Sequence, residues 1–134
     1  MTLYQRIVRA KLFIDQQYHQ PLSLDNLSDA AYFSRFHFLR LFRQLYRVTP
    51  HQYLTRKRIE AAKDLLAHSE ISIAEISYRV GFQSAPHFNA TFRKWTGTFP
   101  TQYRETQRRQ FRQAKEQPEI TIPFCFVRNY CPAE

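Results

Sequence analysis

The feature that most constrains this chain is an internal repeat. Ser34, His37, Phe38, Phe42, Arg43, Pro50, Gln52 and Tyr53 recur fifty residues later as Ser84, His87, Phe88, Phe92, Arg93, Pro100, Gln102 and Tyr103. Upstream the register is forty-nine: Ser23, Leu24, Leu27 and Ser28 answer to Ser72, Ile73, Ile76 and Ser77. One residue gained or lost in a turn accounts for the change. A chain of 134 residues holds one ordinary domain or two small ones, and a repeat of this length implies two units of like architecture.

The apolar spacing within the repeat is helical. Leu3, Ile7, Ala10, Ile14 and Tyr18 form one stripe of a helix opened by Thr2 and stopped before Pro21. Ser23 begins a short helix from Leu24 to about Ala31. Ser34 caps another from Arg35 to about Tyr46, with Phe38, Leu41, Phe42 and Leu45 facing inward. Thr49-Pro50 sets a cap residue before proline at a first helical position. The helix it opens, to about Ala67, is expected to bury Tyr53, Leu54, Ile59, Ala62, Leu65 and Leu66. Ser72 precedes Ile73, Ile76 and Val80, with a break at Gly81. Ser84 caps a helix holding Phe88, Phe92 and Trp95, and Gly97 suits its end. Phe99-Pro100 opens one more turn or short helix through Tyr103. The reading is all-α: about seven helices in two helix-turn-helix subdomains, residues 1–48 and 69–106, joined by a long linker helix at 49–68.

A C-terminal extension, residues 107–134, follows. Its first part reads as a polar helical extension or linker. From Glu119 to Tyr130 the composition is that of a strand with nothing to pair with, either a cover for the helical body or the stump of an effector domain. The two cysteines, Cys125 and Cys131, lie here. Neither a disulfide framework nor a four-ligand metal site organises the fold, and the pair reads as incidental.

Helix, short turn and second helix is the plan of a helix-turn-helix, whose second helix enters the DNA major groove. It is equally the plan of a plain helical bundle. Charge favours the first. Lys and Arg number 20 against 11 Asp and Glu, for a formal net charge of +9, and fifteen of the cations are arginine. Arginine is the residue suited to bidentate contacts with phosphates and guanine edges. Basic membrane-surface and ribosomal proteins share that balance, so charge does not decide alone. No apolar run has membrane-spanning length and the N-terminus lacks the stretch of a signal peptide; a cytoplasmic protein with no membrane partner is expected. His19, His37, His51, His68 and His87 include no zinc-helix pair, and Gly-rich phosphate loops and nucleophile elbows are missing from the sequence. Neither a metal, a cofactor nor enzyme activity is expected.

A longer pattern runs from Tyr53 to Arg104: Tyr53-Leu54, Arg58, Ala62, Leu65-Leu66, Ile73, Ile76, Gly81-Phe82, Ser84, Phe88, Phe92-Arg93-Lys94, Gly97, Pro100 and Tyr103-Arg104. In the first unit Pro21-Leu22-Ser23-Leu24, Leu27, Ser34, Phe38, Arg40, Phe42-Arg43 and Pro50 fit as well. In these residues the chain, from about 5 to 105, resembles the AraC/XylS family of bacterial transcription regulators. Within that family it looks like the free-standing MarA/SoxS type. The resemblance implies two helix-turn-helix units on double-stranded DNA, a monomer on its site, RNA polymerase as a further partner, and regulation most often by activation.

It also implies the contact residues. In the first recognition helix these are Arg35, Phe36, Leu39, Arg40 and Arg43, with Arg40 where the family carries a base-reading arginine. In the second they are Ala85, Pro86, Asn89 and Ala90, with His87 beside them and Arg93 and Lys94 on phosphate. Arg40 reads a base or holds a phosphate; Phe36 meets a thymine methyl or covers the helix pair. Phe38, Phe42, Phe82, Phe88 and Phe92 follow a packing stripe rather than a base-stacking platform. Ala90 stands where the first unit has Arg40, which leaves Asn89 as the one clear reader of the second helix. Tyr32 replaces a turn glycine and Arg47 the glycine answering to Gly97. Arg56-Lys57-Arg58 is a solvated charge run, or else a contact to the DNA backbone. The rival readings are a nonspecific or competitor DNA-binding protein and the remnant of a larger ligand-sensing regulator.

Overall fold

A computed structural model describes residues 1–116 of the protein. Among these are seven helices: α1 (Leu3–Gln17), α2 (Leu24–Ala30), α3 (Arg35–Tyr46), α4 (Pro50–His68), α5 (Ile73–Arg79), α6 (Ala85–Thr96) and α7 (Pro100–Glu116). The fold is all-α, as the sequence implies. Thr2, Ser23, Ser34, Thr49, Ser72 and Ser84 cap the first six, each hydroxyl accepting the backbone N–H three residues on. Each cap satisfies one of the N–H groups that a helix start leaves without a partner. At α1, α2 and α4 the side chains of Gln5, Asn26 and Gln52 return the bond to the cap backbone.

Two apolar cores result. The first joins Ile7, Ala10 and Ile14 of α1, Leu27 of α2, Phe38 and Phe42 of α3, and Tyr53 and Leu54 of α4. The second joins Ile59, Ala62 and Leu66 of α4 with Ile76 of α5 and Phe88 and Phe92 of α6. Phe38, Phe42, Phe88 and Phe92 are wholly buried, and each contributes roughly 1.5–3 kcal/mol. The helix between the units is thus more than a linker: its N-terminal half closes one core and its C-terminal half opens the other. A further register of the repeat becomes visible. Arg6, Ile7, Ala10 and Ile14 are answered fifty-two residues later by Arg58, Ile59, Ala62 and Leu66. To the second unit α4 is what α1 is to the first. Likewise Tyr53 packs on Phe42 at 5.9 Å between ring centroids, and Tyr103 of α7 on Phe92 at 5.5 Å.

Three expectations need correction. Leu65 is only half-buried, because the inner face of α4 runs through Ile59, Ala62 and Leu66. Leu45 is 39% exposed and its counterpart Trp95 41%. Both lie on the shoulder of a stripe that narrows to the paired phenylalanines. The short helix expected through Tyr103 is the first turn of the seventeen-residue α7. Residues 105–116 continue it because Arg, Gln, Glu and Lys are good helix formers and Glu105 pairs with Arg109 one turn on, at 3.2 Å. The strand-like segment and both cysteines lie outside the described residues.

Both units close their turns with the same bond, Phe33 N–H to the Ser28 carbonyl and Phe82 N–H to the Ser77 carbonyl, each 2.9 Å. The chemistry at the turn differs. Left-handed backbone falls on Gly81 (φ 102°) and Gly97 (φ 84°) in the second unit, but on Tyr32 (φ 59°) and Arg47 (φ 66°) in the first. A residue with a Cβ is destabilised there by about 1–2 kcal/mol, so the first unit carries backbone strain at both positions where glycine is replaced.

Candidate nucleic-acid interface

α3 and α6 are the second helices of their units. The repeated histidines belong to the fold: His37 lies edge-on to Phe33 at 5.0 Å and His87 is tilted against Phe82 at 5.4 Å. Each holds the start of its helix against the preceding turn.

With the paired phenylalanines committed to the cores, the outer faces follow from the helical period. On α3, Phe36, Leu39, Arg40 and Arg43 gather around an open concavity of about 740 Å³, together with Gln44, Arg47 and Thr49. Phe36 is 86% exposed; it does not cover the helix pair, the alternative weighed from the sequence. Arg40, Arg43 and Arg47 are exposed and Leu39 is half-buried. Arg35 is not in this group. Its Nε pairs with Asp25 Oδ1 at 3.2 Å, and both side chains are well exposed, so the pair contributes about 1 kcal/mol or less and is readily exchanged for another anion. Gln44 and Arg47 were passed over in the sequence, although they follow Arg40 and Arg43 by one helical turn.

The same positions of α6 carry other chemistry. Pro86 and Ala90 are exposed, Ala85 and Asn89 half-buried, and the first two turns hold no lysine or arginine. Arg93 and Lys94 are exposed further on. The Arg93 guanidinium lies 4.7 Å over the Phe99 ring. Lys94, with Thr91 and Trp95, faces His51, Gln52 and Thr55 of α4 across a second cleft of about 490 Å³.

The run Arg56-Lys57-Arg58 is not one solvated face. Arg56 lies 5.4 Å over the Tyr53 ring. Lys57 Nζ stands 3.4 Å from Asp15 Oδ1, and half-buried Arg58 donates to backbone carbonyls of Tyr18 and Gln20. Asp15 is the hub of the first pair of contacts. Burial pushes its carboxyl up, but the Tyr53 hydroxyl at 2.5 Å, Lys11 Nζ at 2.9 Å and the Lys57 charge outweigh burial and leave it below the usual carboxylate range. Burial and the bond to Asp15 push the Tyr53 phenol up to about 12.

A helix-turn-helix pair with an arginine-rich outer face is now matched by relationship. The profile of the helix-turn-helix domain family covers residues 27–106. The chain belongs to this family, in its AraC-type branch. It is 34% identical over 91 residues to the probable transcriptional regulator LumQ of Photobacterium leiognathi, a match spanning 68% of this chain and 37% of LumQ. It superposes on the DNA-binding domain of AdpA, solved in complex with a target DNA, with a TM-score of 0.75 at 31% identity, covering 78% of this chain and 94% of that one. An AraC-type transcriptional regulator from Chromobacterium violaceum gives 0.71 at 29% identity, over 78% and 93% of the two chains. The chain spans less than half the length of the curated relatives it matches. No helix among the described residues is long and apolar enough to cross a membrane.

Proposed function

We propose that this chain is a sequence-specific DNA-binding regulator of transcription that reads promoter DNA with two unequal recognition helices. The observation that carries the reading is the outer face of α3, where the Phe36 ring, 86% exposed, shares one concavity with Arg40, Arg43 and Arg47. An aromatic left open to solvent among guanidinium groups suits the major groove. There Arg40 pairs bidentately with guanine, and Phe36 and Leu39 meet thymine methyls. Arg43, Arg47 and the N-terminus of α3 after Ser34 hold phosphates, and Arg35 exchanges Asp25 for another. The DNA complex of the related AdpA domain supports double-stranded DNA as the partner.

In α6 only Asn89 offers a pair for a base, adenine, while Arg93 and Lys94 grip phosphate. Ala85, Pro86 and Ala90 leave the rest of that groove unread, with His87 held by Phe82. The bound site therefore has one well-defined half and one degenerate half. Because the halves differ, a monomer is sufficient. Activation through RNA polymerase, usual in this family, completes the reading.

The test is a randomised-site selection with the purified chain. Arg40→Ala loses about 1–3 kcal/mol on the selected site and less on random DNA; equal losses would make Arg40 a phosphate contact. Two equally sharp half-sites about one helical turn apart would refute the inequality of the helices. A flat selection with a steep salt dependence would favour the nonspecific reading, which the bare first turns of α6 already suit.

A further inference from the structure

The two units use one repeated arginine differently. In the first, Arg6 donates from Nε to the Ala31 carbonyl at 2.9 Å and from Nη2 to the Tyr32 carbonyl, with its guanidinium 3.8 Å over Phe33. One arginine thus pins the turn of its own unit. Its counterpart Arg58 lies over the matching ring, Phe82, at 5.9 Å. Its hydrogen bonds, however, cross to the other unit: Nε to the Tyr18 carbonyl at 2.7 Å and Nη2 to the Gln20 carbonyl at 2.9 Å. The Tyr18 carbonyl belongs to the C-cap of α1, where helix carbonyls lack partners and the macrodipole is negative, and Gln20 follows just beyond it. No carboxylate among the described residues forms an ion pair with Arg58. Burial holds its guanidinium below the ordinary range, and the carbonyls are what compensates the desolvated charge.

Gly81 completes the junction. A Cβ added there would lie 2.7 Å from the Tyr18 carbonyl oxygen and 2.8 Å from Arg58 Nε. The end of α1, the middle of α4 and the α5–α6 turn therefore meet too closely at Gly81 to admit a side chain there, beside an open cleft of about 560 Å³ that Arg58, Phe82 and Ser84 line. From that turn the chain runs through Phe82 directly to Ser84, the cap of α6. Arg58 thus touches both sides, the end of α1 through its hydrogen bonds and the turn before α6 through Phe82 and Gly81.

We propose that Arg58 is a positioning residue that fixes α6 relative to α3 and so sets the half-site separation the chain accepts. The inference rests on the reading of α3 and α6 as DNA-reading helices. One base pair changes the separation by about 3.4 Å and the angle by about 35°, so a stiff junction enforces a spacing that a loose one does not.

Wild type, Arg58→Met and Arg58→Lys are compared on the selected site and on versions with one base pair inserted or removed between the halves. Wild type binds the altered sites at least about tenfold more weakly. Arg58→Met keeps most of the stem but neither donor, and its penalty falls to about threefold or less, with base preferences within each half unchanged. Arg58→Lys, with a compact charge in place of the fork, falls between. A wild type indifferent to spacing, or an Arg58→Met chain that keeps the wild-type ratios or weakens equally at every spacing, overturns the proposal. A second measurement needs no DNA: spin labels at Asp29→Cys and Ala74→Cys, with Cys125 and Cys131 replaced by Ser. Their distance distribution is narrow with Arg58 and broad with Met; equal widths overturn the proposal. Should Arg58→Met fail to fold, Arg58→Lys decides by the same two readings. Should wild type select no sequence, the DNA reading falls while the spin labels still decide the junction.

Discussion

The interiors of the two units repeat the same buried phenylalanines, whereas their outer faces do not repeat. Phe38 and Phe42 correspond to Phe88 and Phe92 in identity and in complete burial. One buried polar residue is kept as well: Ser28 donates to the Asp25 carbonyl at 3.1 Å and Ser77 to the Ala74 carbonyl at 2.6 Å. On the outside Phe36, Leu39 and Arg40 give way to Pro86, Asn89 and Ala90. Backbone strain runs with the armament, since the arginine-rich unit is also the one with Tyr32 and Arg47 in left-handed conformations. Close packing tolerates little change in volume, so both copies retain one interior. Nothing in the core restricts the outer face, and there the copies separate.

The matched interiors can be broken directly. Phe42→Ala and Phe92→Ala should each destabilise the chain by about 3–5 kcal/mol in urea denaturation, and losses differing by more than about 1 kcal/mol would end the equivalence. The turns should respond in opposite senses. Gly81→Ala brings a Cβ to 2.7 Å from the Tyr18 carbonyl oxygen at φ 102° and should cost about 2–4 kcal/mol. Tyr32, by contrast, is 70% exposed, and Tyr32→Gly should gain about 0.5–1 kcal/mol after the added freedom of the unfolded chain is counted. A loss there would mean that the tyrosine, not the backbone, governs that turn.

The outer faces can be made more alike. Ala90→Arg gives α6 the counterpart of Arg40 and should sharpen the degenerate half-site by about 1–3 kcal/mol at one base pair, read by repeating the site selection. An unchanged profile would show that α6 does not present position 90 to a base. The smallest effect concerns acid. With its pKa held low, Asp15 stabilises the fold fully above the ordinary carboxylate value of about 4, and that stabilisation, of about 1 kcal/mol, is lost as pH falls below it. Position 67, which answers to 15 in the fifty-two-residue register, is alanine. Hydrogen exchange should therefore show α1 losing protection before α5 as pH drops from 4, a difference that Asp15→Asn removes. Simultaneous loss would place the acid sensitivity elsewhere.

Most of the fold is legible in the sequence because its signals are local. A Ser or Thr cap and the N–H it accepts are three residues apart, and the apolar stripes repeat within a turn. The last three turns of α7 have no such stripe, so their helicity leaves no periodic trace. The kinship of α1 and α4 hides in a third register with few identities. For the site, the helical period was enough to bring Phe36, Leu39, Arg40 and Arg43 onto one face. It could not show that Arg35 pairs with Asp25, since that depends on how α2 packs. Arg58 reads as one charge in a basic run because its partner Tyr18 lies forty residues away in the chain, and only tertiary packing brings them together.

The sharing of α4 couples the stability of each unit to that of the other. Opening the first would bare Tyr53 and Leu54, and opening the second would bare Ile59, Ala62 and Leu66. In either case the surviving core keeps its own wall only while α4 stays helical, and an isolated helix of this length is marginal in water. Unfolding at one end thus removes support from the other. A cut before Tyr53 takes that residue and Leu54 from the first core, a cut after Leu66 takes Ile59, Ala62 and Leu66 from the second, and a cut between Thr55 and Arg58 leaves each core only a half-length piece of α4 as its wall.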